Sequence, residues 1–170
     1  TTLMQELYDW YKQNEKWDTA ISILKQNLEV EPKDSWARKE LVDCYTGKYK
    51  GHSHLDEYIK SSNLNQNYRN VFEAINDFEK HIAFDKNNYV FHRNWGVGQI
   101  KKLEKDTLTI YFGEKEGAHN ISLKMAVSAL QPLARNHIWV LKRVAPAKLV
   151  TKVKTDKVWA LETIIKSFDN

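Results

Sequence analysis

With 170 residues, 42% of them hydrophobic and 28% charged, the chain can bury a sizeable core as one domain or two small ones. No apolar run approaches the roughly 18–20 residues of a membrane span, and the opening TTLMQELYDWY lacks the basic and apolar stretches of a signal peptide, so neither is expected. The formal net charge of +4 is unevenly placed: residues 1–82 carry 11 Lys/Arg against 14 Asp/Glu, residues 83–135 carry 8 against 5, and residues 136–170 carry 7 against 3, so the basic character belongs to the second half.

The first fifty residues predict helices. Leu7 and Tyr11 recur as Leu41 and Tyr45, each 34 positions later. Between them Trp17, Ala20, Leu24 and Leu28 fall at helical spacing. Small Ala20 permits close helix approach, and Pro32 ends the second helix. A 34-residue helix-turn-helix period resembles the tetratricopeptide repeat, here over Trp17–Pro32, although Tyr8 and Asn27 are larger than that family's residues at those places. About one and a half repeats are visible.

Past Gly47 and Gly51, His54–Ile59 predicts a short helix with Leu55, Tyr58 and Ile59 on one face, broken by Ser61-Ser62-Asn63. A further helix runs to about His81, capped by Asn65 or Asn67, with Val71, Phe72, Ile75 and Phe78 as its apolar stripe. Asp85-Lys86-Asn87-Asn88 turns the chain into a sheet.

From Tyr89 the period changes. Short runs rich in β-branched and aromatic residues, Tyr89–His92, Val97–Leu103, Leu108–Phe112 and Ala118–Leu123, are separated by the Trp95-Gly96-Val97-Gly98 corner, the turn at Glu104–Thr107 and the loop Gly113–Gly117. Met125–Leu130 predicts one helical turn, and Gln131–Ala134 a closing strand. The tail returns to helix: Ile138–Val144, a segment begun by Pro146, and a last helix capped by Thr155 or Asp156, with Val158, Leu161, Ile164, Ile165 and Phe168 as its stripe.

The predicted fold is therefore α+β. A TPR-like helical part spans residues 1–84, a small five-stranded SH3/Tudor-like barrel spans 85–135, and a helical segment spans 136–170.

No catalytic constellation emerges. The sole cysteine, Cys44, rules out an internal disulfide, fits a reducing cytoplasm, and falls three residues from Leu41 on a core face. His52 and His54 with Asp56 and Glu57 lack the further ligand cluster of a metal site. Gly96-Val97-Gly98 lacks the third glycine and following helix of a dinucleotide site. No enzymatic activity, metal or cofactor is expected. The residues suited to surface work gather at the corner: His92, Arg93, Asn94 and Trp95, then Lys101 and Lys102. An aromatic among cations can stack on a base while the cations neutralise phosphate. Alternatively, Trp95 folds over the barrel mouth as part of the core.

The stretches Phe91-His-Arg-Asn-Trp-Gly-Val-Gly-Gln-Ile100, Leu108-Thr-Ile-Tyr-Phe112 and Ile121–Leu133 resemble the CarD-like, Tudor-type RNA-polymerase interaction domain. The resemblance covers about residues 88–135; Trp95 and the long helical flanks depart from it. Helices followed by His54–Leu64 and then Val90–Ile100 resemble the N-terminal extension that some bacteria attach to a Gre-type transcript-cleavage factor. That resemblance implies a non-catalytic module of a longer cytoplasmic protein, docking on RNA polymerase with DNA or RNA nearby. The acidic coiled-coil tip that carries catalysis in Gre factors has no counterpart here. A Tudor-like nucleic-acid binder without polymerase contact and a TPR-type protein scaffold are the competing readings.

Overall fold

The computed structural model describes residues 2–169. These form two compact units, one ending at Ile82 and one beginning at Ala83.

The first unit is helical. α1 (Leu3–Gln13) opens with a capping box in which Thr2 and Gln5 satisfy each other's backbone N–H groups. α2 (Trp17–Val30) buries Ala20, Leu24 and Leu28 of the predicted face with Ile21 added, while Trp17 is only half-buried. α3 (Ser35–Lys48) starts at Asp34, whose carboxylate accepts the N–H of Ala37 at 3.2 Å. α4 is Leu55–Ser61 and α5 is Val71–Ile82. Asn70, not Asn65 or Asn67, caps α5: its side-chain oxygen accepts the N–H groups of Phe72 and Glu73 at 3.0 and 3.1 Å. The buried stripe is Val71, Ala74, Ile75, Phe78 and Ile82, and Phe72, expected on it, is only half-buried because it lies about 100° around the helix from Val71 at the stripe's margin.

Two buried polar groups organise this unit. Tyr8 is fully buried; its hydroxyl donates to Glu40 at 3.1 Å and lies 3.3 Å from the Cys44 sulfur, while Lys12 reaches Glu40 at 2.9 Å. Burial pushes the Tyr8 phenol far above its ordinary value and raises the Cys44 thiol, so both stay neutral packing groups. Arg38, 4% exposed, donates to the carbonyls of Leu64, Arg69 and Asn63 at 3.0, 3.0 and 3.3 Å. One guanidinium thus satisfies backbone acceptors along the segment joining α4 to α5.

The second unit is built on an antiparallel sheet: β1 (Tyr89–His92), β2 (Gly96–Glu104), β3 (Thr107–Tyr111), β4 (Ala118–Ser122) and β5 (Leu130–Leu133), in the order β4-β3-β2-β1-β5. Val90, Ile100, Leu108, Ile110 and Phe112 form its interior. Gly98 lies against Ile110 and Phe112 so closely that a Cβ would fall 2.7 Å from each. The β2–β3 register slips between Ile100 and Lys102, leaving Lys101 as the extra residue of a bulge. α6 (Leu123–Ala129) links β4 to β5. The hydrogen-bonded order leaves β4 and β5 as edges. β5 carries Pro132, which has no N–H to offer, as is usual on an outer strand. On β4 the bonded pairs begin with Phe112 N–H to Gly117 O at 2.9 Å, and the alternation directs the backbone groups of Ala118 and Asn120 away from β3.

α7 (Ile138–Val144), α8 (Pro146–Thr155) and α9 (Lys157–Phe168) complete the unit. Asp156 caps α9, accepting the Trp159 N–H at 3.0 Å. The predicted stripe of α9 does not face the core. Only Ala160 is buried there, with Trp159, Thr163 and Ser167 beside it, while Val158, Leu161, Ile164, Ile165 and Phe168 are 45–69% exposed. Ser167 at its far end accepts the Ile138 N–H at 2.9 Å. This bond fixes the helix by its small and polar side, while Phe168, at the end of the outward stripe, turns its ring edge against His137 and Trp139. No described helix is long and apolar enough to cross a membrane.

Candidate functional site

The corner between β1 and β2 is held by His92. Its Nδ1 accepts the backbone N–H groups of Asn94 and Trp95 at 3.1 and 3.2 Å, which places the ring proton on Nε2. Gly96 follows with φ +78°, a left-handed turn that suits glycine. The turn folds Trp95 back, so that His92 and His119 stack on its two faces, each with centroids 3.9 Å away and planes 14° apart. The Phe112 edge closes the cluster at 5.4 Å from Trp95. With both faces covered, Trp95 has none open for a base. Half-buried, it packs within the corner rather than in the sheet interior, and holds the turn that presents exposed Arg93.

The lysines sit farther along β2. A regular strand would send neighbours to opposite faces. The bulge instead leaves both Lys101 and Lys102 exposed. Lys101 donates to the Gln99 side chain at 2.7 Å. Lys102 pairs with Glu104 at 2.8 Å, but both side chains are more than 60% exposed, so the pair is worth little.

The structure adds residues that local pattern did not reveal. Arg143, on the last turn of α7, reaches the sheet and donates to the Phe112 carbonyl at 2.7 Å. Its guanidinium lies over the glycine backbone of the sheet: a Cβ on Gly113 would fall 2.6 Å from Nη1, and one on Gly96 3.4 Å from Nη2. On one side of Arg143 opens a groove of about 240 Å³ lined by Tyr89, Val97, Gln99, Lys101 and Tyr111. On the other, a hollow of about 350 Å³ is lined by Phe91, Trp139 and Lys142. Arg143 and Val97 belong to both. The surface is concave, partly aromatic and cationic, suited to acidic or planar groups of a partner. Of the residues singled out from the sequence, Lys101 lines the groove, while His92, Arg93, Trp95 and Lys102 line neither hollow. Lys142 and Arg143 enter the sequence reading only within the basic excess of residues 136–170, because their meeting with the sheet is tertiary.

Elsewhere, His54 contacts Glu57 at 3.1 Å. Among the described residues, no group of three His, Cys, Asp or Glu side chains is placed to hold a metal ion.

No family model matches the chain, and no solved structure matches it. Two curated proteins do. The chain is 56% identical over 171 aligned positions to a GreA-associated domains protein of Treponema pallidum (strain Nichols), covering all of this chain and 26% of that protein. It is 37% identical over 167 positions to transcription elongation factor GreA of Borreliella burgdorferi, covering 98% of this chain and 18% of that protein. The chain thus spans about a quarter or less of each relative, and it is homologous to a segment of proteins that carry GreA names.

Proposed function

We propose that the chain is a non-catalytic docking module of a bacterial, cytoplasmic transcription elongation factor of the GreA type, seated on RNA polymerase by its sheet-containing unit. The observation that carries this reading is the Lys101–Arg143 groove over β1, β2 and the end of β3, in the half of the chain with the basic excess. The groove's cations can engage acidic groups of the partner, and, at the sheet's rim, the edge backbone of Ala118 and Asn120 can receive a strand. The resemblance of residues 88–135 to CarD-like, Tudor-type modules and the GreA names of both relatives support the same reading. Cleavage chemistry is assigned to other parts of such factors: transcript cleavage stimulated in stalled complexes by residues 1–170 alone would overturn that assignment.

The test is charge reversal at Arg93, Lys101 and Lys102 together, each to Glu. All three are exposed, so each change costs at most about 0.5 kcal/mol of stability. Polymerase captured by the parent chain should be lost by the variant while its melting temperature stays close to the parent's. Equal capture by both would place the contact elsewhere. A second reading, direct nucleic-acid binding without polymerase, draws on the 15 Lys/Arg against 8 Asp/Glu of residues 83–170. It requires steeply salt-dependent retention of DNA or RNA by the isolated chain.

A further inference from the structure

The outward stripe of α9 has a second regularity. Val158, Leu161, Ile165 and Phe168 are spaced three, four and three residues apart, and are 69%, 61%, 57% and 51% exposed. Single exposed apolar residues are ordinary, but a continuous row of four marks a binding face. Alternating three-four spacing is that of core positions a and d in a two-stranded coil, so the face fits another helix better than a flat or extended partner.

The flanking charges narrow the choice of helix. With Val158 and Ile165 at a, and Leu161 and Phe168 at d, Lys157 occupies g and Glu162 occupies e. Both are exposed, and neither is in an ion pair among the described residues. In a parallel, in-register pair, g of one helix faces e of the next heptad of the other. Lys157 of each copy then meets Glu162 of the second copy, twice by symmetry. An antiparallel pair would instead set Glu162 against Asp169, like against like.

We propose that two copies of this chain associate through α9 as a short parallel coil, with Val158, Leu161 and Ile165 as the seam, Phe168 closing its end from its place against His137 and Trp139, and Lys157–Glu162 pairs on its flanks. The helix has 12 residues, about 18 Å, and the contact falls short of the roughly 1,200 Å² of a standard stable interface. Association is therefore weak, reversible and dependent on concentration. It is independent of the docking surface on the sheet.

Sedimentation equilibrium over a wide range of protein concentration tests this. The parent should show a monomer–dimer equilibrium, and Leu161→Lys, at an exposed position, should remove it with an unchanged circular dichroism spectrum. Lys157→Glu and Glu162→Lys alone should each weaken dimerisation roughly tenfold, since attraction becomes repulsion at two symmetric pairs. The double reversal should restore the parental constant. A chain monomeric at every concentration overturns the proposal. So does a dimer that survives Leu161→Lys, or one that the double reversal fails to restore.

Discussion

Arg143 of α7 donates to the main-chain carbonyl of Phe112 at 2.7 Å, and this bond ties the C-terminal helices to the sheet. Its removal has two separable consequences. Arg143→Ala leaves a carbonyl in part-buried surroundings without its donor and should lower stability by about 1–2 kcal/mol in urea denaturation. Arg143→Lys keeps the charge but not the planar fork, so it should restore long-range attraction to an acidic partner without restoring the full stability. If Arg143→Ala unfolds at the parental urea midpoint, the bond does not hold the helices in place.

Gly98 is needed for space. Its missing side chain is the room in which Ile110 and Phe112 sit, 2.7 Å from where a Cβ would stand. Gly98→Ala overpacks the sheet interior and should cost about 1–3 kcal/mol. Gly117 offers the contrast. Nothing lies within 4 Å of a Cβ there, but its φ is +71°. Gly117→Asn, which tolerates that backbone, should cost less than Gly117→Ala. Matched urea curves for the three variants check both statements. A harmless Gly98→Ala would show that the interior can yield.

His137, 6% exposed, accepts the Trp139 N–H at Nδ1 at 3.0 Å and thereby caps α7. Burial lowers its tendency to protonate, and the Ser167 backbone opposes that shift only in part. Below its ordinary value near 6.5 the unfolded chain therefore binds more protons than the folded one. The stability tied to this group is complete above that pH and declines as pH falls through it, with a slope of at most about 1.4 kcal/mol per pH unit. His137→Asn retains a capping acceptor but cannot titrate. Unfolding free energies between pH 5 and 8, by urea at each pH, should fall less steeply in acid for the variant than for the parent. Parallel curves would remove His137 as the origin.

Much of the second unit was legible because its signals are local. Tyr89–His92 and Ile138–Val144 appear as strand and helix with the predicted bounds, each framed by turn or capping residues. The α5 cap was misplaced because three asparagines stand within six residues and only tertiary packing selects Asn70. The α9 stripe was readable as apolar, but periodicity reports which face is apolar and not whether anything covers it. The site followed the same division. Arg93, Lys101 and Lys102 were recognisable as exposed charge. The groove itself depends on Arg143 crossing 31 residues to Phe112, and His119 completes the Trp95 stack from another strand. No local pattern encodes those meetings.

The placement of Pro132 bears on stoichiometry. A sheet whose two rims are both receptive can pass a growing ladder from molecule to molecule, which is how open sheets become fibres. Here β5, at one rim, lacks a donor at Pro132, while β4 at the other keeps its row. A guest strand laid on β4 completes the ladder on that side, and the opposite rim is poorly equipped to act as guest for the next molecule. On the proposed docking by strand addition, each copy would therefore take one strand, with growth stopped at the first addition.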